Sequence, residues 1–227
     1  MKRTGWLIRA EAPVPYRIAY EAMHDLADRR LADEVPDTLM LLQHPPVYTA
    51  GRRSDPTHVL WTEARMESLG AEFHHVDRGG SVTFHGPGQL VGYPVVDLGT
   101  RPDVMDHLRR IEEVVIRACR DVGVVVGRDP DRTGVWAGNK KVCAIGVKLS
   151  RARVTLHGFA LNCTTNLSWF DAIVPCGLID RGVTSLSVLA GREVTIEETA
   201  PLVTRHFEDA FGLQLEAREV LTAAAAV

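Results

Sequence analysis

The tripeptide Pro175-Cys176-Gly177 follows the apolar run Ala172-Ile173-Val174. Proline fixes the backbone on one side of the thiol and glycine frees it on the other, so Cys176 is predicted on a defined turn rather than inside a helix. An ionised thiol in such a frame is a nucleophile. Free cysteine is also among the most often buried residue types, and the local sequence alone leaves a reactive and a core thiol equally open. A second unusual stretch is Arg78-Gly79-Gly80-Ser81-Val82-Thr83-Phe84-His85-Gly86-Pro87-Gly88-Gln89, in which four glycines flank a four-residue strand. It is neither a G-x-x-x-x-G-K-[ST] phosphate loop nor a G-x-G-x-x-G turn opening a helix, which removes support for nucleotide binding. Gly79 and Gly80 would let backbone N–H groups approach a ligand, with Arg78 as a candidate anion partner; a tight hairpin is the alternative.

The four cysteines, Cys119, Cys143, Cys163 and Cys176, show no C-x-x-C pair. Of nine histidines only His74 and His75 are adjacent, and neighbours on a strand point to opposite faces, so no metal site is predicted. A net charge of −3 argues against general nucleic-acid binding. No apolar run approaches the ~20 residues of a membrane helix, and a cytoplasmic protein is expected.

Around these residues the pattern predicts strands at 6–10, 38–42, 73–77, 82–85, 124–126 and 133–136, and helices at 16–31, 62–69 and 103–122. Pro45, Pro46 and Gly51 put Arg52 and Arg53 on a loop at a sheet edge. A strand is predicted over 90–98, with Gly92 and Pro94 suggesting an edge or a bulge. The run 141–149 pairs through Ser150-Arg151-Ala152 with 154–162; one of Lys140 and Lys141 faces solvent and the other the interior, and Cys143 should share the face of Lys141. A last helix covers about 195–211, where Pro201 favours Thr199 over Thr195 as its cap. Residues 220–227 read as a frayed tail. Mixed element order without regular βαβ alternation predicts one α+β domain over 1–227, a largely antiparallel or mixed sheet with flanking helices.

The segments Gln43-His44-Pro45-Pro46-Val47-Tyr48-Thr49, Arg78 to Gln89, Lys141 to Gly146, His157-Gly158-Phe159-Ala160-Leu161-Asn162 and Pro175-Cys176-Gly177 occur in this order and spacing in the lipoyl(octanoyl) transferases, which the chain resembles over about residues 39–186. The resemblance implies a biotinyl/lipoyl protein ligase-like fold. It also implies a two-step transfer of an octanoyl or lipoyl group, from acyl carrier protein to the cysteine matched by Cys176 and then to a lysine of a lipoyl domain. Lys141 falls on the family's lysine that lowers the thiol pKa. The substrate-binding segments fall on Arg78, Gly79, Gly80, Ser81, Val82, Thr83, Phe84 and His85, on Ala144, Ile145 and Gly146, and on Gly158, Phe159 and Ala160. His85 and His157 are read as pocket residues, turn histidines bonded to backbone, rather than bases.

The implied partners are octanoyl-acyl carrier protein as donor, and as acceptors the lipoyl domains of 2-oxoacid dehydrogenase E2 subunits and the glycine cleavage H protein. A monomer with no cofactor, neither ATP nor metal, is expected. Exchange between thioesters is nearly balanced and aminolysis of a thioester runs downhill. An ATP-dependent ligase on the same fold, which would not need Cys176, and a non-catalytic lipoyl-domain scaffold are the alternatives. Since both partners are typically acidic, a basic rim of Arg52, Arg53, Lys140, Lys148, Arg151 and Arg153 is expected.

Overall fold

The computed structural model describes residues 2–174 and 182–218. In chain order they form β1 (Arg3–Arg9), α1 (Tyr16–Leu31), β2 (Thr38–Leu42), β3 (Val47–Ala50), α2 (Glu63–Ser68), β4 (Glu72–His75), β5 (Val82–His85), β6 (Gln89–Val95), α3 (Val104–Asp121), β7 (Gly127–Asp129), β8 (Arg132–Ala137), β9 (Lys140–Ser150), β10 (Val154–Asn162), β11 (Gly182–Val183), α4 (Leu186–Ala190), α5 (Ile196–Phe211) and β12 (Leu213–Arg218). One nine-stranded sheet runs β12-β1-β2-β6-β10-β9-β8-β7, with β11 along β9, and β4-β3-β5 form a second sheet. The large sheet is mixed: β1 is parallel to β12 and β2, and the steps from β2 through β6, β10 and β9 are antiparallel. The architecture is the α+β arrangement the sequence predicts.

Helices α3 and α5 cover one face. Ile111, Val115, Ala118 and Cys119 of α3 and Val203 and Phe207 of α5 pack with Leu39, Leu90, Phe159 and Leu161 of the sheet. On the other face Ala19, Met23 and Ala27 of α1 meet Met40, Val91, Tyr93, Leu156 and Ala160. The small sheet lies beside α1 and has its own core around Tyr48, Phe84, Met66 and Phe170. Among the described residues no helix is long and apolar enough to cross a membrane.

Three local expectations are corrected. Strand β6 is neither edge nor bulged; it lies between β2 and β10 and is buried throughout. Its glycine serves close approach, because a Cβ on Gly92 would fall 2.1 Å from the Phe159 ring. Thr155 Oγ1 donates to the Pro94 carbonyl at 2.7 Å and accepts from Val96 N at 2.9 Å, a side chain mending the ladder where proline has no N–H. Residues 124–126 are not a strand. Gly123 adopts φ +81° and Val124 N donates to the Cys119 carbonyl at 2.9 Å, so these residues close α3, and the strand follows at β7. Thr195, not Thr199, caps α5 through Glu198 N at 3.2 Å. Pro201 is accommodated because the carbonyl it strands, that of Glu197, lies on the exposed side.

Candidate active site

Two pairs of very small residues create a hollow on the α1 face. Strands β9 and β10 pair Ala144 with Ala160 and Gly146 with Gly158. The alternate pair, Ile145 with Phe159, turns toward α3. The resulting cleft of about 570 Å³, part of it open to solvent, is bounded by Ala144 to Gly146, His157 to Ala160, Arg78 to Thr83, His85, Lys141, Tyr16 and Tyr93. Gly146 is required by the opposite wall, since a Cβ there would come within 2.9 Å of the Gly79 carbonyl.

A β-bulge brings Lys141 to this face. Val135 pairs with Cys143 and Trp136 with Lys141, so one step on β8 spans two on β9 and Val142 is the extra residue. Alternation is thereby reset. Val142 and Cys143 both enter the α3 core, whereas Lys141, only 9% exposed, lines the cleft. Its Nζ stands 4.7 Å from the centroid of the Trp136 ring, a cation–π contact. Lys140 is exposed, as strand alternation requires. The expectation that Cys143 shares the face of Lys141 is overturned by the bulge: its thiol is fully buried, and burial pushes its pKa well above the ordinary value.

The glycine-flanked segment forms the cover. It is no hairpin, because β3 separates β4 from β5. Gly79 N donates to the Val147 carbonyl at 3.1 Å, and the backbone N–H groups of Arg52 and Arg53 reach the Arg78 and Gly80 carbonyls at 3.1 Å each. The Arg78 guanidinium donates to the carbonyls of Gly79 (3.0 Å), Ser81 (2.8 Å) and Thr49 (2.6 Å) and to Thr49 Oγ1 (2.9 Å). The cation expected as an anion partner thus clamps the cover to β3. Asp77 adds a second clamp by accepting from His157 Nε2 at 2.8 Å and binding Lys148. These partners, the His157 bond foremost, hold the Asp77 carboxyl well below the usual range. His157 adopts φ +60°, a strained conformation for a residue with a side chain, and its backbone N–H points at Met23 Sδ at 2.9 Å.

A one-directional polar chain runs behind the cleft. Arg78 donates to Thr49 Oγ1, which donates to His85 Nε2 at 3.4 Å; His85 Nδ1–H donates to Gln89 Oε1 at 2.8 Å. Gln89 Nε2 donates to Asn162 Oδ1 at 2.9 Å, and Asn162 Nδ2 donates to the Thr184 carbonyl at 2.9 Å. Burial holds His85 neutral, its pKa brought down to about 3, so both ring nitrogens have fixed roles. Neither His85 nor His157 is a turn residue bonded to backbone; each sits on a strand and engages a side chain.

The cleft therefore gathers fifteen of the seventeen residues nominated from sequence, leaving out two. Phe84 points away, stacked on Trp169 with centroids 5.2 Å apart in the small-sheet core. Cys176 lies outside the described residues, as does the 220–227 tail. The chain is placed on either side of that segment, by Val174 N bonded to the His58 carbonyl at 2.8 Å and by Gly182 and Val183 paired with Lys140 and Lys141. Sequence reasoning missed Tyr16, Tyr93, Asp77 and the Gln89–Asn162 contact; the G-P-G-Q ending and the final asparagine of the His157 motif were the available signals. Of the six rim cations, Lys148 is paired with Asp77 and Arg153 with Asp97 at 2.5 and 2.7 Å. Arg52, Arg53, Lys140 and Arg151 are exposed.

Residues 15–208 match the family described as the lipoyl protein ligase A/B catalytic domain. The octanoyltransferase of Acidothermus cellulolyticus is 51% identical over 195 residues, covering 84% of this chain and 85% of that protein. The octanoyltransferase of Rubrobacter xylanophilus is 49% identical over 199 residues, covering 87% and 90%. The fold is similar to that of a lipoate-protein ligase A bound with ATP, with TM-score 0.75 at 18% identity over 97% of this chain and 90% of that one. The chain belongs to the lipoyl protein ligase A/B catalytic domain family and, within it, to the octanoyltransferases.

Proposed function

We propose that this enzyme moves an octanoyl group from acyl carrier protein to a lysine of lipoyl domains through a thioester on Cys176, with Lys141 managing the protons. The observation that carries the reading is a buried lysine at one end of a narrow cleft whose floor is stripped to alanine and glycine. Such a cleft suits an unbranched alkyl chain. In the first step the Cys176 thiolate attacks the donor's thioester carbonyl, the tetrahedral adduct expels the carrier thiolate, and the Lys141 ammonium gives that thiolate its proton. In the second, the acceptor amine attacks the Cys176 thioester, the cysteine leaves as thiolate, and neutral Lys141 takes the amine's proton. Each cycle returns thiolate and ammonium, and no energy input is needed.

A free thiol is only a few per cent ionised at pH 7, and an ammonium ~4 Å away contributes up to about 4 kcal/mol at an effective dielectric of 20. Full ionisation gains about thirtyfold; positioning and oxyanion donors supply the rest, for which backbone N–H groups near Gly146 or Gly177 are suited. Arg52, Arg53, Lys140 and Arg151 offer acidic donor and acceptor proteins a docking rim.

The test is intact-mass and peptide mass spectrometry after mixing with octanoyl-carrier protein, followed by addition of a lipoyl domain. An octanoyl adduct on Cys176 that decays into octanoyl-lysine without ATP is expected. Absence of the adduct together with ATP-dependent transfer would overturn the reading in favour of an acyl-adenylate ligase.

A further inference from the structure

The cleft has a direction. Lys141 stands at one end of its β9 wall and Gly146 at the other, five residues along a strand that advances about 3.3 Å per residue, or roughly 16 Å. On β10 the floor runs from Ala160 to Gly158. A Cβ on Gly158 would meet the Gly92 carbonyl at 2.2 Å and Pro94 Cδ at 2.5 Å, so Gly158 lies alongside Tyr93 of β6. Tyr93 and Tyr16 both line the cleft.

Neither ring is free to swing. The Tyr93 hydroxyl donates to His44 Nε2 at 2.8 Å, and His44 Nδ1 donates to the Val14 carbonyl at 2.7 Å from a fully buried position. Tyr16 opens α1 directly after Pro15, 5% exposed, with its ring 5.3 Å from that of His44 and 5.4 Å from that of His74. The wall opposite the lysine is thus aromatic and packed against buried partners, whereas the floor leading to it is bare.

We infer that Tyr16 and Tyr93 are specificity-determining residues: they stop the methyl end of an acyl chain whose carbonyl is held at the Lys141 end, and so set the accepted length. The inference rests on the acyl-transfer reading. An extended chain built from bonds of about 1.5 Å advances about 1.25 Å per bond, so eight carbons span roughly 9 Å and leave the remainder of the cleft to the sulfur and the lysine head. Two further carbons add about 2.5 Å and four add about 5 Å, which brings longer chains against the tyrosine rings.

The experiment offers an equimolar mixture of hexanoyl-, octanoyl-, decanoyl- and dodecanoyl-carrier protein to the wild type and to Tyr16→Ala, Tyr16→Phe and Tyr93→Leu, and reads the acyl-lysine products by mass. Tyr16→Ala and Tyr93→Leu should raise the decanoyl-to-octanoyl ratio about tenfold, and Tyr16→Phe should keep the wild-type ratio. Because the readout is a ratio, loss of folded enzyme cancels. The same proteins are titrated with the free six- to twelve-carbon acids, which reads chain length without turnover. A length optimum in binding that moves with Tyr16→Ala supports the stop even if no transfer occurs, and then the transfer reading alone fails. Length dependence unchanged in both truncated variants, in product ratio and in binding, overturns the inference.

Discussion

Thr184 donates its backbone N–H to the carbonyl of Lys141 at 2.9 Å, and the Thr184 carbonyl accepts from Asn162. The lysine's own peptide is therefore the far end of the polar chain that starts at Arg78. Cover and lysine are held in one hydrogen-bonded frame, although they belong to different sheets.

Breaking that frame should misplace the lysine. Asn162→Asp keeps the size but sets an acceptor against the Thr184 carbonyl, and Asn162→Ala removes the acceptor of one Gln89 Nε2 hydrogen and the donor to the Thr184 carbonyl, while Gln89 keeps its bond to the Phe84 carbonyl. We expect a stability loss of about 1–3 kcal/mol for the alanine variant and more for the aspartate. Transfer should fall about tenfold at temperatures where both remain folded, because a small displacement at the reacting groups suffices. Equilibrium unfolding and transfer kinetics on the same samples check this.

Lys141 and Cys143 should separate cleanly. Lys141→Met is expected to lower transfer at least a hundredfold and to move the pH dependence of Cys176 alkylation up toward the ordinary thiol value, about 8.5. Cys143→Ala should leave both untouched and cost only about 1–2 kcal/mol of stability, as a small truncation inside the α3 core. Iodoacetamide rates against pH, with peptide mapping, distinguish the two.

Gly146→Ala sets a methyl group 2.9 Å from the Gly79 carbonyl and must push the cover outward. A several-fold rise in KM for the acyl donor is expected, with a stability cost of about 1–3 kcal/mol. Gly127→Ala, where nothing lies within 4 Å, serves as the control and should change neither. Initial-rate measurements and thermal melts decide it.

Three buried imidazoles make the fold acid-sensitive. Burial lowers His44 and His107 to about 4 and His85 to about 3. The unfolded chain takes up these protons near pH 6.5, whereas the native state resists until much lower pH. Between those values the unfolded state binds more protons, so stability declines as pH falls from about 6.5 toward 4, by roughly 3 kcal/mol for each imidazole. Asp77 acts in the same direction below its unfolded value of 3.8. Urea midpoints at pH 7, 6 and 5 should fall in sequence, and a flat profile would contradict the assignment. Both ring nitrogens of His107 lack a hydrogen-bond partner, so His107→Phe should stabilise the protein and remove part of the slope.

Reversing Arg52 and Arg53 to glutamate should lower kcat/KM with carrier protein about tenfold and flatten its dependence on salt. Arg153→Ala, by contrast, should lower stability through Asp97 and leave the salt slope intact. Rates from 25 to 300 mM salt provide the comparison.

Much of the frame was legible in the sequence. Helix α3 announces itself through Ile111, Val115, Ala118 and Val122 at helical spacing, and the β9–β10 hairpin through Ser150-Arg151-Ala152, where Arg151 and Ala152 indeed adopt positive φ. The segments nominated for substrate binding converge on one cleft. What stayed hidden depends on pairing. The bulge at Val142 is a property of how β9 meets β8, and strand alternation read along β9 alone puts Cys143 on the wrong face. Gln89 and Asn162 are 73 positions apart and Asp77 and Lys148 are 71 apart, so neither contact follows from local pattern. Tyr16 reads as the first residue of a packing helix because its place at the mouth of α1 depends on where the small sheet docks.

The bare floor at Ala144, Ala160, Gly146 and Gly158 has one more consequence. On the opposite face of the same strands, Ile145, Phe159 and Leu161 supply bulk to the interior. An alkyl chain lying along the cleft does for one face what those side chains do for the other: it is a detachable segment of hydrophobic core. At about 0.8 kcal/mol for each buried methylene, binding it should raise the melting temperature as filling a packing defect does. On the proposed acyl transfer, each catalytic cycle would install a piece of the protein's interior and carry it away on the acceptor.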